Sequence, residues 1–305
     1  MTQSRHAEPL PLGDNGLPYS KGLMARALIT TGLSTERAYD LARRIELDLD
    51  ERGMRSIELD RVQELAVEVL GVDDGTAAIG RLRRFGDLQK LELPIILLVG
   101  GSTGTGKSTV ATEAAYRLGI TRVTSTDFVR GTMRAFFSEE FMPAIHHSSF
   151  EAGARLKDAG REDAPDYVVR GFLEQTRNVL VGVRASMERA LQEGWSIVLE
   201  GVHLVPGMLP RAIEGALVVQ CVLAVEDEQE HAGHFFVRDA ASDGVRALDK
   251  YLEGLGEIRQ IQDFIVERAR KLGVPVIENE DMERTLGEVM ELVLEGAERV
   301  QRVEP

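Results

Sequence analysis

The chain has 305 residues, 43% hydrophobic and 28% charged, with a formal net charge of −14. That length allows two domains or one large one, with a core that needs no disulfide or metal staple. The acidity argues against a nucleic acid or an anionic membrane as partner, because both require a basic surface. The single cysteine, Cys221, sits in the apolar run ALVVQCVLAV as an inert core residue and excludes an internal disulfide, which fits a cytoplasmic location. The polar N-terminus is no signal peptide, and no apolar run reaches the ~18 residues of a membrane span.

Residues 1–16 are polar and rich in Gly and Pro, and read as a flexible tail. Residues 17–90 read as a small helical unit followed by a linker. Leu23, Ala27 and Leu28 form one apolar stripe. Ser34 or Thr35 caps a second helix carrying Leu41, Ile45 and Leu49. Ile57-Glu58-Leu59 is a candidate short strand. Asp60 with Gln63 resembles a capping box before Val62, Leu65, Ala66, Val69 and Leu70, and Gly71 is a natural stop. The stretch from Val72 to Leu93, charged and punctuated by glycines, reads as a connecting helix and linker. Its Arg81, Arg83 and Arg84 are read as solvated surface.

Residues 91–305 alternate strands and helices, which predicts an α/β architecture: a doubly wound parallel sheet of roughly five strands. Its centre is PIILLVGGSTGTGKST. Ile95 to Val99 read as a strand buried on both faces. Gly101, Gly106, Lys107 and Ser108 then match the phosphate-binding loop, G-x-x-x-x-G-K-[ST]. Glycines let the backbone turn its N–H groups toward phosphate oxygens. The loop residues Gly101, Ser102, Thr103, Gly104, Thr105, Gly106, Lys107, Ser108 and Thr109 are therefore the candidate nucleotide site. Lys107 supplies the charge for the β- and γ-phosphates of ATP, and the Ser108 hydroxyl is a ligand for Mg2+. The helix after it, from about Ser108 to Leu118, points its positive end at the same anion.

A short β-branched strand, Thr121 to Thr126, ends at Asp127. Arg130 and Arg134 follow at i, i+4 on one helix face. Ligands of an open parallel sheet bind outside the carboxyl ends of its strands. Asp127 is thus a candidate catalytic residue, and the two arginines are a candidate seat for an anionic acceptor. Pro143 breaks the helix. His146, His147, Ser148 and Ser149 then form a polar loop able to close over a small substrate, which makes His146, His147 and Ser149 candidate acceptor ligands. A long amphipathic helix, Asp166 to Glu193, carries Phe172, Thr176, Val179, Leu180, Val183 and Met187 on its core face. A third strand after Trp195 ends in Glu200, an acid placed to orient a magnesium-bound water. A fourth strand, Leu217 to Val225, leads into EHAGHFFVRDA, within a lid expected near residues 226–250. Arg238 in that lid is the candidate catalytic cation for the phosphate in transfer. His231 and His234 are spaced i, i+3 but lack a third metal ligand at suitable spacing. A fifth strand, Val274 to Ile277, precedes Glu278 to Asp281, a loop placed to contact adenine.

These features together read as a small-molecule kinase. The segments GGSTGTGKST, TSTDFVRGTMR, MPAIHHSSFEA, VLEGVHLVPG and VEDEQEHAGHFFVRD resemble the 2-phosphoglycerate kinase family, over nearly the whole chain. That resemblance implies ATP-dependent phosphorylation of 2-phosphoglycerate at its 3-hydroxyl, giving 2,3-bisphosphoglycerate. Residues 17–90, through Tyr19-Ser20-Lys21-Gly22-Leu23, Gly32-Leu33, Glu36-Arg37-Ala38 and Ile57-Glu58-Leu59, resemble an ATP-cone domain, a unit that in that family binds a regulatory nucleotide. The alternative is a helical cap that packs on the kinase portion or makes a homodimer. The phosphate loop and lid alone leave the acceptor open between 2-phosphoglycerate and another small anion, such as a nucleoside monophosphate or sugar acid. A nucleotide-sensing regulator without turnover is the third alternative.

Overall fold

The structure, a computed structural model, describes residues 19–91, 93–153, 166–241 and 248–303. The tail at 1–16 lies outside the described residues. The chain divides into two compact units, 1–93 with 286–305, and 94–285. The last residues therefore group with the N-terminal part, whereas the sequence reading places them in the 91–305 portion.

The first unit is built from α1 (Lys21–Thr30), α2 (Thr35–Arg52), α3 (Leu59–Leu70) and α4 (Val72–Lys90). Ser20 and Ser34 cap α1 and α2, each hydroxyl accepting from a backbone N–H three residues on. The expected core face of α1 is rotated: Leu23 is half exposed, while Met24, Ala25 and Leu28 are buried. Leu41, Ile45 and Leu49 are buried as expected. Ile57-Glu58-Leu59 is not a strand. Glu58 is extended, but Leu59 already begins α3, so the segment is the entry to a helix. α4 is no linker. Ala78, Ile79 and Leu82 are fully buried in the same core as Leu41 and Leu65, which makes α4 the fourth wall of the unit. Arg84 is not merely solvated surface either, because it bonds Glu291 and Glu298 of the C-terminal helix.

The second unit holds a five-stranded, all-parallel sheet in the order β2-β3-β1-β4-β5. Its strands are β1 (Ile95–Gly101), β2 (Val123–Ser125), β3 (Ile197–Glu200), β4 (Leu217–Ala224) and β5 (Val276–Glu278). The helices are α5 (Lys107–Arg117), α6 (Thr126–Phe136), α7 (Tyr167–Gln192), α8 (Glu228–Ala241), α9 (Leu248–Glu253), α10 (Leu255–Leu272) and α11 (Met282–Val303), which continues into the first unit. All seven residues of β1 are buried. Each buried Leu or Ile contributes about 1.5–3 kcal/mol, enough to offset the ~1–2 kcal/mol of ordering its backbone. On one face, Ile96 and Leu98 pack with Val179, Val183 and Met187 of α7. A second cluster joins Val222 of β4 to Ile258, Ile261 and Ile265 of α10. Cys221 is buried in β4, and burial pushes its thiol up to about 12, so it is inert core. No described helix is long and apolar enough to cross a membrane.

The strand order decides where a ligand binds. Successive connections run from β1 toward β2 and β3 on one side, and toward β4 and β5 on the other. The crevice therefore opens at the carboxyl end of β1. Register brings Val99 beside Glu200 and Cys221, and Glu200 beside Ser125. The ends of β1, β2 and β3 thus share one edge.

Candidate active site

The turn from β1 into α5 is the phosphate loop. Gly106 precedes α5 in a left-handed conformation, so the loop runs straight into a helix N-terminus, whose dipole favours an anion. The loop is braced from three sides. Asn279, just past β5, donates its side-chain amide to the Thr105 carbonyl at 3.1 Å. Gln262 of α10 accepts from the Ser102 hydroxyl at 3.3 Å and bonds both backbone groups of Val225. From α8, His231 donates Nε2–H to the Thr103 carbonyl at 2.7 Å, and His234 donates Nδ1–H to the Gly104 carbonyl at 2.8 Å. Gly104 has φ +89°, and a Cβ there would sit 2.7 Å from the Phe235 ring and 2.9 Å from His231 Nε2. Only glycine admits α8 this close. The i, i+3 histidines thus hold two carbonyls of the phosphate loop and occupy none of its N–H groups.

Lys107 is buried, its ammonium turned back onto the Ser102 carbonyl. Burial pushes its pKa below the usual lysine value, against the opposing pull of Glu200 and Asp127. A phosphate beside it would add negative charge and favour the ammonium form further. Ser108 Oγ donates to Glu200 Oε1 at 3.1 Å. The hydroxyl read as a metal ligand and the acid ending β3 thus meet. A hydroxyl and a carboxylate oxygen suit Mg2+ carried by a nucleotide, which needs few protein ligands.

Asp127 lies in the first turn of α6, capped by Ser125. Its carboxylate is exposed to the cleft and accepts from Arg130 Nε at 3.2 Å. Partial loss of hydration raises its pKa, but His203 once acid protonates it, Arg130 and Lys107 outweigh that and hold the carboxyl below the usual range. Arg130 also donates to the Ile145 and His147 carbonyls, both at 3.0 Å. It therefore ties Asp127 to the 143–149 loop. Of the other acceptor candidates, Arg134 is exposed one turn on. His146 Nε2–H donates to the Phe137 carbonyl at 2.9 Å. The His147 ring lies 3.8 Å from Glu139, and Ser149 is buried. Arg238 falls within α8, and its side chain lies outside the described residues.

Three residues beneath this cleft carry polar groups that the spacing of the sequence does not reveal as a unit. His203 Nδ1 accepts from the Thr126 hydroxyl at 2.8 Å, and His203 Nε2–H donates to Gln175 Oε1 at 2.9 Å. Burial lowers the His203 pKa to about 4, so the ring is neutral at pH 7. Gly201, with φ +146°, is held against Thr126 so closely that any Cβ would collide with the hydroxyl.

A parallel sheet ending in an amide nest, a buried lysine, a hydroxyl–carboxylate pair and a second acid beside an arginine define a P-loop phosphotransferase. No protein-family model matches the chain. The chain is 36% identical over 292 residues to 2-phosphoglycerate kinase of Methanopyrus kandleri, covering 95% of this chain and 86% of that protein. It is 36% identical to the Pyrococcus horikoshii enzyme of the same name, covering 92% of this chain and 90% of the relative. The Methanothermobacter thermautotrophicus 2-phosphoglycerate kinase is 38% identical, with 90% and 89% covered. The chain belongs to the 2-phosphoglycerate kinase family.

Proposed function

We propose that the chain transfers the γ-phosphoryl group of ATP to the 3-hydroxyl of 2-phosphoglycerate, giving 2,3-bisphosphoglycerate and ADP. The observation that carries this reading is the meeting of Lys107, Ser108, Glu200 and Asp127 at one strand edge, in a chain related over nearly its whole length to enzymes of that name.

The amides of residues 101–109 receive the phosphates, and Lys107 neutralises charge between the β- and γ-groups. Ser108 and Glu200 would hold Mg2+, which would screen the phosphate charge. Asp127, an anion at neutral pH, accepts the proton of the attacking hydroxyl or orients it. The hydroxyl oxygen bonds to the γ-phosphorus as the bridging oxygen leaves with ADP. Arg130 and Arg134, with His146, His147 and Ser149, receive the acceptor's carboxylate and phosphate. Arg238 neutralises the group in flight. The test is ADP release measured across a panel of phosphorylated acids, sugar acids and nucleoside monophosphates. Stimulation by 2-phosphoglycerate above all others is the expected result, and silence with it alongside activity on another compound refutes the reading.

The ATP-cone resemblance gives residues 17–90 a regulatory nucleotide, whereas a helical cap binds none. Calorimetric titration with ATP distinguishes them: two nucleotides per chain favour the cone and one favours the cap.

A further inference from the structure

The polar chain of Thr126, His203 and Gln175 has no part in the chemistry above, yet all three residues are fully buried. Gln175 turns its Nε2 to two carbonyls, Ala144 at 2.5 Å and His147 at 3.0 Å. Both partners only accept, so the amide orientation is set and Oε1 faces His203. His203 Nε2 must then carry the proton, and Nδ1 must accept from Thr126. Each bond fixes the next. One end of the chain is the residue before Asp127, in the first turn of α6. The other end holds the loop that Arg130 also holds: His147 O accepts from both Arg130 and Gln175.

We infer that Thr126, His203 and Gln175 are positioning residues, which lock the 143–149 loop in register with Asp127 so that an acceptor seated on the loop presents its hydroxyl to the carboxylate. The inference rests on the proposed function insofar as that loop seats the acceptor. A merely structural network would have a different signature. It would lower stability and weaken ATP and acceptor binding together. A positioning network leaves the phosphate loop untouched, because that loop is braced separately by Gln262, Asn279 and the α8 histidines.

Thr126→Val keeps the side-chain shape and removes the donor, Thr126→Ser restores the hydroxyl, and Gln175→Met breaks the other end should Thr126→Val not fold. Two readouts are made on the full chain: hydrogen exchange of the amides at 144–149, which needs no substrate, and steady-state kinetics. The expected result is faster exchange in that loop for Thr126→Val and Gln175→Met. Acceptor KM should rise about ten- to hundredfold, with ATP affinity unchanged and Thr126→Ser close to wild type. Unaltered loop exchange in both variants overturns the inference, as does a wild-type KM for the acceptor. If the wild type prefers an acceptor other than 2-phosphoglycerate, the proposed function fails, and the network is judged with that acceptor by the same two readouts.

Discussion

Two neutral, buried histidines make the stability of the kinase unit pH-dependent in a range where few other groups titrate. His203 is buried between Thr126 and Gln175, and burial lowers its pKa to about 4. His231 is buried against the phosphate loop. Burial lowers its pKa to about 4 as well, against the opposing hydrogen bond to Thr103 and with Arg259, His234 and Lys107 lowering it further. A folded value below the unfolded one means that the native state resists protonation. The stability is present above the unfolded value of 6.5 and is lost as pH falls toward 4. Between about pH 8 and about pH 5 each ring should cost about 2 kcal/mol, hence about 4 kcal/mol for the pair. Trp195, the chain's only tryptophan, lies in the same unit. Urea unfolding followed by its fluorescence therefore reports the relevant transition. His231→Gln keeps a donor for the Thr103 carbonyl and should remove about half of the pH dependence. A midpoint that stays constant across that pH range would refute the assignment of both rings as buried and neutral, and a slope unchanged in His231→Gln would refute it for His231.

Further outcomes follow from the site. Lys107→Ala should cut kcat/KM by about a thousandfold or more yet melt no lower than wild type, since burial already disfavours the Lys107 ammonium and pushes its pKa down; calorimetry with the activity assay checks both halves. Arg130→Lys keeps the charge but loses the guanidinium's bonds to Ile145, His147 and Asp127; acceptor KM should rise about tenfold, with ATP affinity unchanged in a fluorescent-nucleotide titration. Gly104→Ala puts a methyl group at positive φ against Phe235 and His231; about 1–3 kcal/mol of strain should appear as a lower melting temperature and weaker ATP binding.

Local signals carried much of the fold. β1 is legible because a run of five apolar residues between Pro94 and a glycine pair leaves little alternative to a buried strand. The amphipathic α7 is legible because its core face repeats at helical spacing over 26 residues. The misread segments are those where composition and packing disagree. The glycines and charges of α4 suggest a linker, but Ala78, Ile79 and Leu82 share a face and bury it. The extended Glu58 imitates a strand end because the cap residue before a helix is extended. At the site, Ser108 and Glu200 are legible because a phosphate loop and a strand-terminal acid each mark themselves. Gln262, Asn279 and Gln175 are not. Each bonds a backbone carbonyl or hydroxyl many residues away, as with Gln175 and Ala144, and a backbone acceptor leaves no trace in residue type. For the same reason the His231–His234 spacing is visible while its partners, the Thr103 and Gly104 carbonyls, are not.

The most direct measurement is phosphorus NMR of the purified chain with ATP, Mg2+ and 2-phosphoglycerate. Loss of the γ-phosphorus signal should be matched one to one by 2,3-bisphosphoglycerate, should require the acceptor, and should vanish in Lys107→Ala. ATP loss that ignores 2-phosphoglycerate, or that persists undiminished in Lys107→Ala, would contradict a site in which the nucleotide nest and the acceptor groups act on one phosphoryl group.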